Sequence, residues 1–223
     1  MAKTLNVKNV QDFSLHLREN QRESDRLLFP MTIEKEFYLG NLKLEYATDF
    51  FNLIDTNRLY LRNWLPWIDS LINQQQALQF IQGSIQENLS HKSLRLGLFH
   101  HSKIIGAISL LLIDQDAQTC KIGYWIAESY QGKGLITKAC RMMISIAFGH
   151  FGLKRIMIEC GVENKKSRSI PQRLGFKAEK IIQNNELING HYIDHMQYVL
   201  DWQQWVDGNN IQKNSLVIAF QKG

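Results

Sequence analysis

The chain has 223 residues, 44% of them hydrophobic and 21% charged, with a formal net charge of +5. This is the composition of one soluble domain with a full core; no Pro-, Gly- or Ser-rich linker divides it and no repeat recurs along it. The positive charge favours polyanionic partners, but the basic residues are scattered, and the densest group, Lys165, Lys166 and Arg168, adjoins a turn that calls for positive charge on its own account, so direct nucleic-acid binding is not expected.

Residues 1–36 are polar, apart from Leu27, Leu28 and Phe29 before Pro30, and read as an N-terminal extension with one helix around 10–17. They begin MAKTLNVKNVQDF, without the apolar core or cleavage site of a signal peptide. A strand is expected at 37–44. Apolar residues then recur at helical spacing from Tyr46 to Leu61, followed by Trp64-Leu65-Pro66-Trp67, where proline stops the helix. A second helix is expected at 75–89. Strands at 94–99 and 103–113 flank His100-His101-Ser102, read as a hairpin turn; the run from Ile104 to Ile113 is too short to span a bilayer. A strand at 120–127 leads into a long amphipathic helix, whose face is Ile136, Ala139, Cys140, Met143, Ile146 and Ala147 and whose end is marked by Gly149 and Gly152. There follow a strand at 155–160, a short helix to Leu174 with Gly175 as its cap, and strands at 178–187 and 191–200 facing each other across Asn189-Gly190. This order gives an α+β sheet with helices on both faces. Cys120, Cys140 and Cys160 are odd in number and unclustered, so neither disulfides nor a zinc site is implied. The expected compartment is the cytoplasm, with no membrane partner.

In the segment Ile122-Gly-Tyr-Trp-Ile-Ala-Glu-Ser-Tyr-Gln-Gly-Lys-Gly-Leu-Ile-Thr137 a strand enters a glycine-punctuated turn that opens a helix. Gly132 and Gly134 permit close backbone approach, and the free amides of residues 132–137 suit a pyrophosphate. A plain tight turn with glycine for positive φ fits the same spacing. The segment resembles the acetyl-CoA signature of the GNAT superfamily, Gln/Arg-x-x-Gly-x-Gly/Ala, with Gln131, Gly134 and Ile136 at its fixed places; Ile136 is bulkier than the usual third residue, as in the RimJ/RimL-type branch that acetylates ribosomal proteins. The segment from Cys160 to Phe176, ending Leu-Gly-Phe, is similar to the family's second signature.

The resemblance implies a GNAT fold, a mixed and mostly antiparallel sheet of about seven strands, over residues 37–206, with a tail at 207–223. It implies acetyl-CoA as cosubstrate, no metal, and direct transfer to a primary amine. The cofactor-binding set it implies is Gln131, Gly132, Lys133, Gly134, Leu135, Ile136 and Thr137, with Asn164 and Arg168 from the second signature and the backbone N–H near Ile126 for the oxyanion. Pro171 stands where many GNAT enzymes carry a tyrosine acid, and in this branch the serine matching Ser167 is the acid instead; helix capping is the other role open to Ser167. Glu186 falls where the branch places a general base, although an exposed strand glutamate is the commoner fate of that residue type. Asn57-Arg58 and Trp64-Leu-Pro-Trp67 resemble the acceptor wall, making Arg58, Trp64 and Trp67 substrate-binding candidates, with packing of a helix end the alternative for Trp64. Cys160 is read as a core residue rather than an acetyl carrier. The acceptor implied is a protein N-terminal amine; a small amine such as a polyamine, an aminoglycoside or an amino acid, or a non-catalytic acyl-CoA-binding role, stays open, as does a homodimer.

Overall fold

The computed structural model describes residues 29–208; the helix expected around 10–17 lies outside them. Eight strands form one sheet in the order β1-β2-β3-β4-β5-β6-β8-β7: β1 (Met31–Glu34), β2 (Phe37–Asn41), β3 (Leu94–His100), β4 (Lys103–Asp114), β5 (Thr119–Ile126), β6 (Arg155–Gly161), β7 (Lys177–Ile188) and β8 (His191–Asp201). All pairs are antiparallel except β5 with β6. The helices are α1 (Ala47–Leu61), α2 (Gln74–Leu89), α3 (Leu135–Gly149), α4 (Lys165–Arg173) and α5 (Trp202–Gly208). None of them is long and apolar enough to cross a membrane.

Two elements depart from the expectation. β1 lies inside the stretch read as an extension and pairs with β2, so the sheet has eight strands rather than about seven. Only four residues long and at the sheet edge, Met-Thr-Ile-Glu is too brief to declare a period of two. α5 follows β8 directly and seats Trp205 and Val206 in the interior; a single helical turn or two, half of it polar, leaves no readable stripe. The chain also leaves β2 at Asn41, earlier than expected, to enter a 3-10 turn at Leu44–Tyr46.

The two sheet faces carry separate cores, as alternating side chains require. α1 and α2 cover one with Phe50, Ile54, Leu61, Ala77 and Ile81 against Phe99 and Ile104. The other is covered by α3, whose Ala139, Cys140, Met143, Ile146 and Ala147 are all fully buried. The stripe predicted for this helix is therefore the buried one. Beyond it Gly152 takes φ of 65°, and the Leu153 N–H donates to the Ala147 carbonyl at 3.0 Å, closing the helix end. At the β7–β8 hairpin Asn189 and Gly190 take φ of 50° and 80°, the left-handed pair a two-residue turn demands.

Candidate active site

The site begins where the sheet comes apart. β5 and β6 pair only from Thr119 with Arg155 to Lys121 with Met157. Past that point β5 stays on β4 as far as Ile126, whereas β6 stays on β8 as far as Gly161 with His195. The Ala127 N–H donates to the Ile105 carbonyl at 2.8 Å, toward β4. Because successive amides along a strand alternate in direction, the Ile126 N–H is turned the other way, into the gap. The result is a cleft of about 1060 Å³ lined by Ile122–Ile126 on one side and Ile158–Gly161 on the other.

The phosphate turn forms one end of the cleft. Gly132 and Gly134 both take φ of 75°, and Gly134 stands at the N-cap of α3 with no side chain capping the helix. The first helical bond runs from the Lys138 N–H to the Gly134 carbonyl, so the amides of Leu135, Ile136 and Thr137 have no carbonyl partner within the helix. A Cβ on either glycine would meet no protein atom within 4 Å; these glycines serve the backbone conformation and the open space in front of it. Asn164 caps α4, its side chain accepting from the Ser167 N–H at 3.0 Å. From α4, Lys165, Lys166 and Arg173 also line the cleft. Lys166 donates to Gln131 at 3.1 Å and Arg173, at the far end of α4, to Thr137 at 3.3 Å, which ties α4 to the phosphate turn and the first turn of α3 and sets cations beside the free amides. An uncapped helix terminus, left-handed glycines and adjacent cations fit the pyrophosphate of a CoA ester.

In the middle lies a half-buried polar cluster. The Ser167 hydroxyl is 3.2 Å from both the Tyr124 phenol oxygen and Cys160 Sγ, while the Tyr124 hydroxyl donates to the Ser167 carbonyl at 3.1 Å. Burial pushes the Tyr124 phenol well above its ordinary range and raises the Cys160 thiol too. Cys160 thus stays a protonated thiol, poorly suited to carry an acetyl group.

At the far end Glu186 and His195 face each other across the β7–β8 hairpin, Glu186 Oε2 to His195 Nε2 at 3.5 Å. The Asn185 amide donates to His195 Nδ1 at 2.9 Å, which places the ring proton on Nε2, toward Glu186. Burial lowers the pKa of His195, outweighing the opposing charge of Glu159, so the imidazole stays neutral. Burial raises the pKa of Glu186, and the negative charge of Glu159 adds to the rise. Glu159 itself is paired with Lys121 at 2.7 Å. The outcome is a carboxylate more basic than an exposed one, with no lysine or arginine paired to it among the described residues.

Not every expected side chain reaches the cleft. Gln131, Gly132, Gly134, Leu135, Ile136, Thr137, Ile126, Asn164, Ser167, Glu186 and Trp64 line it. Trp64 lies so close to the β6 terminus that a Cβ on Gly161 would come within 3.3 Å of its ring. Trp67 instead stacks on Phe80 at 5.2 Å and meets Trp125 edge-on, half-buried against the core beneath α1 and α2. Arg58 donates to the carbonyls of Ile68 and Leu71 at 2.7 and 2.8 Å, holding the segment that carries Trp64. Arg168 is spent on the Tyr198 hydroxyl and the Val162 carbonyl, fastening α4 to the sheet. Lys133 lies over the Tyr130 ring rather than in the cleft. Asn57, next to Arg58, accepts the Glu128 N–H at 2.9 Å and so fixes the start of the phosphate turn. Sequence reading passed over Arg173, Tyr124, Glu159 and His195. For Arg173 the signal existed: it stands seven residues after Lys166, on the same face of a helix.

Comparison with known proteins agrees with this geometry. Residues 37–177 match the acetyltransferase (GNAT) domain family. YdaF of Bacillus subtilis (strain 168), carried under the provisional name of a ribosomal N-acetyltransferase, is 39% identical over 179 residues, covering 80% of this chain and 98% of that one. The ribosomal-protein-serine acetyltransferase of Escherichia coli (strain K12) is 29% identical over 149 residues, 67% of this chain and 83% of its own. Among solved structures, the microcin C7 self-immunity acetyltransferase MccE, in complex with acetyl-CoA and AMP, shares 32% identity with a TM-score of 0.73, over 77% of this chain and 96% of that one. RimL with coenzyme A superposes with a TM-score of 0.75 at 22% identity, over 79% of this chain and 99% of its own, a likeness of fold. The chain belongs to the GNAT acetyltransferase family.

Proposed function

We propose that the chain acetylates the N-terminal α-amine of a ribosomal protein, with acetyl-CoA as donor, Glu186 as general base and Ser167 as general acid. The observation that carries this reading is that one cleft is lined by an uncapped helix terminus with its cations, by Ser167 and by a basic carboxylate. The names of the relatives support the acceptor class.

Acetyl-CoA supplies a thioester whose carbonyl accepts an amine. The amides of residues 132–137, with Lys165, Lys166 and Arg173, hold its phosphates. Glu186 takes the proton from the attacking ammonium, directly or through water; for an α-amine of pKa about 7.7–8.0 that costs only about 1 kcal/mol at neutral pH. The Ile126 N–H donates to the carbonyl oxygen as negative charge gathers there. The Ser167 Oγ–H, released from Tyr124, turns its proton to the departing sulfur. Holding both reactants in one cleft supplies much of the rate.

The test is incubation with acetyl-CoA and a panel of peptides bearing ribosomal-protein N-termini, lysine peptides, polyamines and amino acids, read by mass spectrometry. Acetylation confined to α-amines of peptides is expected; a polyamine as preferred acceptor would overturn the reading. MccE, whose structure holds AMP, favours a second reading in which the acceptor amine is carried by a nucleotide, and an amine-bearing nucleotide belongs in the panel.

Ser167→Ala is expected to lower turnover by about tenfold and to leave acetyl-CoA affinity unchanged, since a thiol with pKa near 8.5 leaves without full protonation. Turnover at saturating substrates decides it: parental turnover in the variant would leave Ser167 the structural neighbour of Tyr124 and nothing more.

A further inference from the structure

Outside the cleft, the strand order β1-β2-β3-β4 sets two hairpin turns side by side at one end of the sheet. Phe37 is the ladder partner of His100, and the His101 N–H donates to the Glu36 carbonyl at 2.9 Å, joining the turns. Glu36 Oε2 then lies 3.8 Å from His100 Nε2 and 3.7 Å from His101 Nε2. These separations are too long for hydrogen bonds, so the carboxylate and the two imidazoles converge on a gap. All three ligand atoms lie within 4.8 Å of one another. Around a tetrahedral zinc, with bonds of about 2.0–2.2 Å, neighbouring ligand atoms stand about 3.4 Å apart. The two Glu36–histidine separations exceed that by only a few tenths of an ångström, and rotation of the exposed His101 ring would bring the third into range.

We propose that Glu36, His100 and His101 form a surface site for one zinc ion, with water completing the coordination. The imidazole of His100 is already held for the task. Its ring stacks on Phe37 with centroids 4.4 Å apart and an interplanar angle of 11°. Its Nδ1 lies 3.1 Å from the Tyr130 hydroxyl; in the tautomer that presents Nε2 to a metal, Nδ1–H donates to that oxygen, the outer support that zinc-binding histidines commonly carry. The site is open, with His101 61% and Glu36 45% exposed. Two imidazoles and one carboxylate favour zinc over magnesium or calcium. Tyr130 also lines the cleft, directly before Gln131, so the outer support of the metal site is shared with the cleft wall.

The test uses the full chain without a histidine tag, stripped with a chelator and titrated with zinc against a chromophoric competitor. One equivalent is expected to bind, and magnesium none. Glu36 and His101 both take positive φ, 72° and 50°, which asparagine tolerates, so Glu36→Asn and His101→Asn are the suitable variants. Each is expected to weaken zinc binding at least tenfold while acetyl-CoA affinity by calorimetry stays parental, which certifies the fold. Tyr130→Phe, which removes the outer support, is expected to weaken it by about tenfold. Cobalt on the parent chain reads the donors with no substitution at all: weak visible bands without a thiolate charge-transfer band are expected. Absence of zinc binding, parental zinc affinity in both asparagine variants, or a strong thiolate band would overturn the proposal.

Discussion

Glu186→Gln is expected to lower turnover near neutral pH by a factor on the order of 10²–10⁴, the usual contribution of a positioned base, and to recover part of it as the pH rises. Glutamine keeps the shape and its place 3.5 Å from His195 Nε2, but it takes no proton. Stability gives the control. The folded-state pKa of Glu186 is raised, so ionising it is harder in the folded chain than in the unfolded one. Its contribution is then most favourable below the ordinary carboxylate pKa and is lost as pH climbs through the raised value. At pH 7 the charged carboxylate is a cost, and the variant should melt no lower than the parent. Above about pH 8 an α-amine loses its proton to bulk water, so rescue should appear near pH 8–9 if the acceptor is a protein N-terminus. A lysine side chain, with pKa near 10.4, would be rescued only at much higher pH. The onset of rescue thus reports the acceptor class, and a pH–rate profile that overlays the parent removes Glu186 from the mechanism.

The parts of this molecule that were legible in the sequence are those that local chemistry dictates. Gly132 and Gly134 announce a left-handed turn because few other residues go there, and the stripe from Ile136 to Ala147 announces a buried helix face because its period is 3.6. What was not legible depends on partners far along the chain. Trp64 and Trp67 are three residues apart and of one type; only the positions of Phe80 and Trp125 send Trp67 inward while Trp64 faces the cleft. The pairing of Glu186 with His195 rests on the register of the β7–β8 hairpin, which shifts between Ile182 and Glu186, and a slip of one residue puts a side chain on the other face. Nor does any spacing bring Glu36 beside His100 and His101; the neighbouring hairpins do that. The motif around Asn57 and Arg58 shows the same limit from the other side. It was read as acceptor wall, and in the fold these two residues are the ties that hold Glu128 and the Trp64 segment in place.

Gly134→Asp is expected to cut acetyl-CoA affinity on the order of a hundredfold while the domain stays folded. The two halves of that statement have separate causes. A Cβ at residue 134 meets no protein atom within 4 Å beyond its chain neighbours, so the first atom of a side chain displaces nothing, and the remaining penalty is the left-handed backbone at φ of 75°. That penalty is about 1–2 kcal/mol for an ordinary residue and less for aspartate or asparagine, which bond locally to the backbone. Aspartate at the N-cap of α3 also meets the positive end of the helix and supplies the cap the parent lacks, offsetting part of the strain. The same carboxylate would occupy the amides of Ile136 and Thr137 and set a negative charge where the pyrophosphate belongs. At about 4 Å and an effective dielectric near 20, a like-charge pair costs roughly 4 kcal/mol before Lys165, Lys166 and Arg173 screen it, and half of that is already more than tenfold in affinity. Gly134→Asn separates the contributions, since it carries the same shape and the same tolerance for positive φ without the charge. Calorimetry with acetyl-CoA should rank the parent first, asparagine second and aspartate last by a wide margin, with melting temperatures close together. Equal affinities across the three would mean that the phosphates rest elsewhere than on the N-terminus of α3.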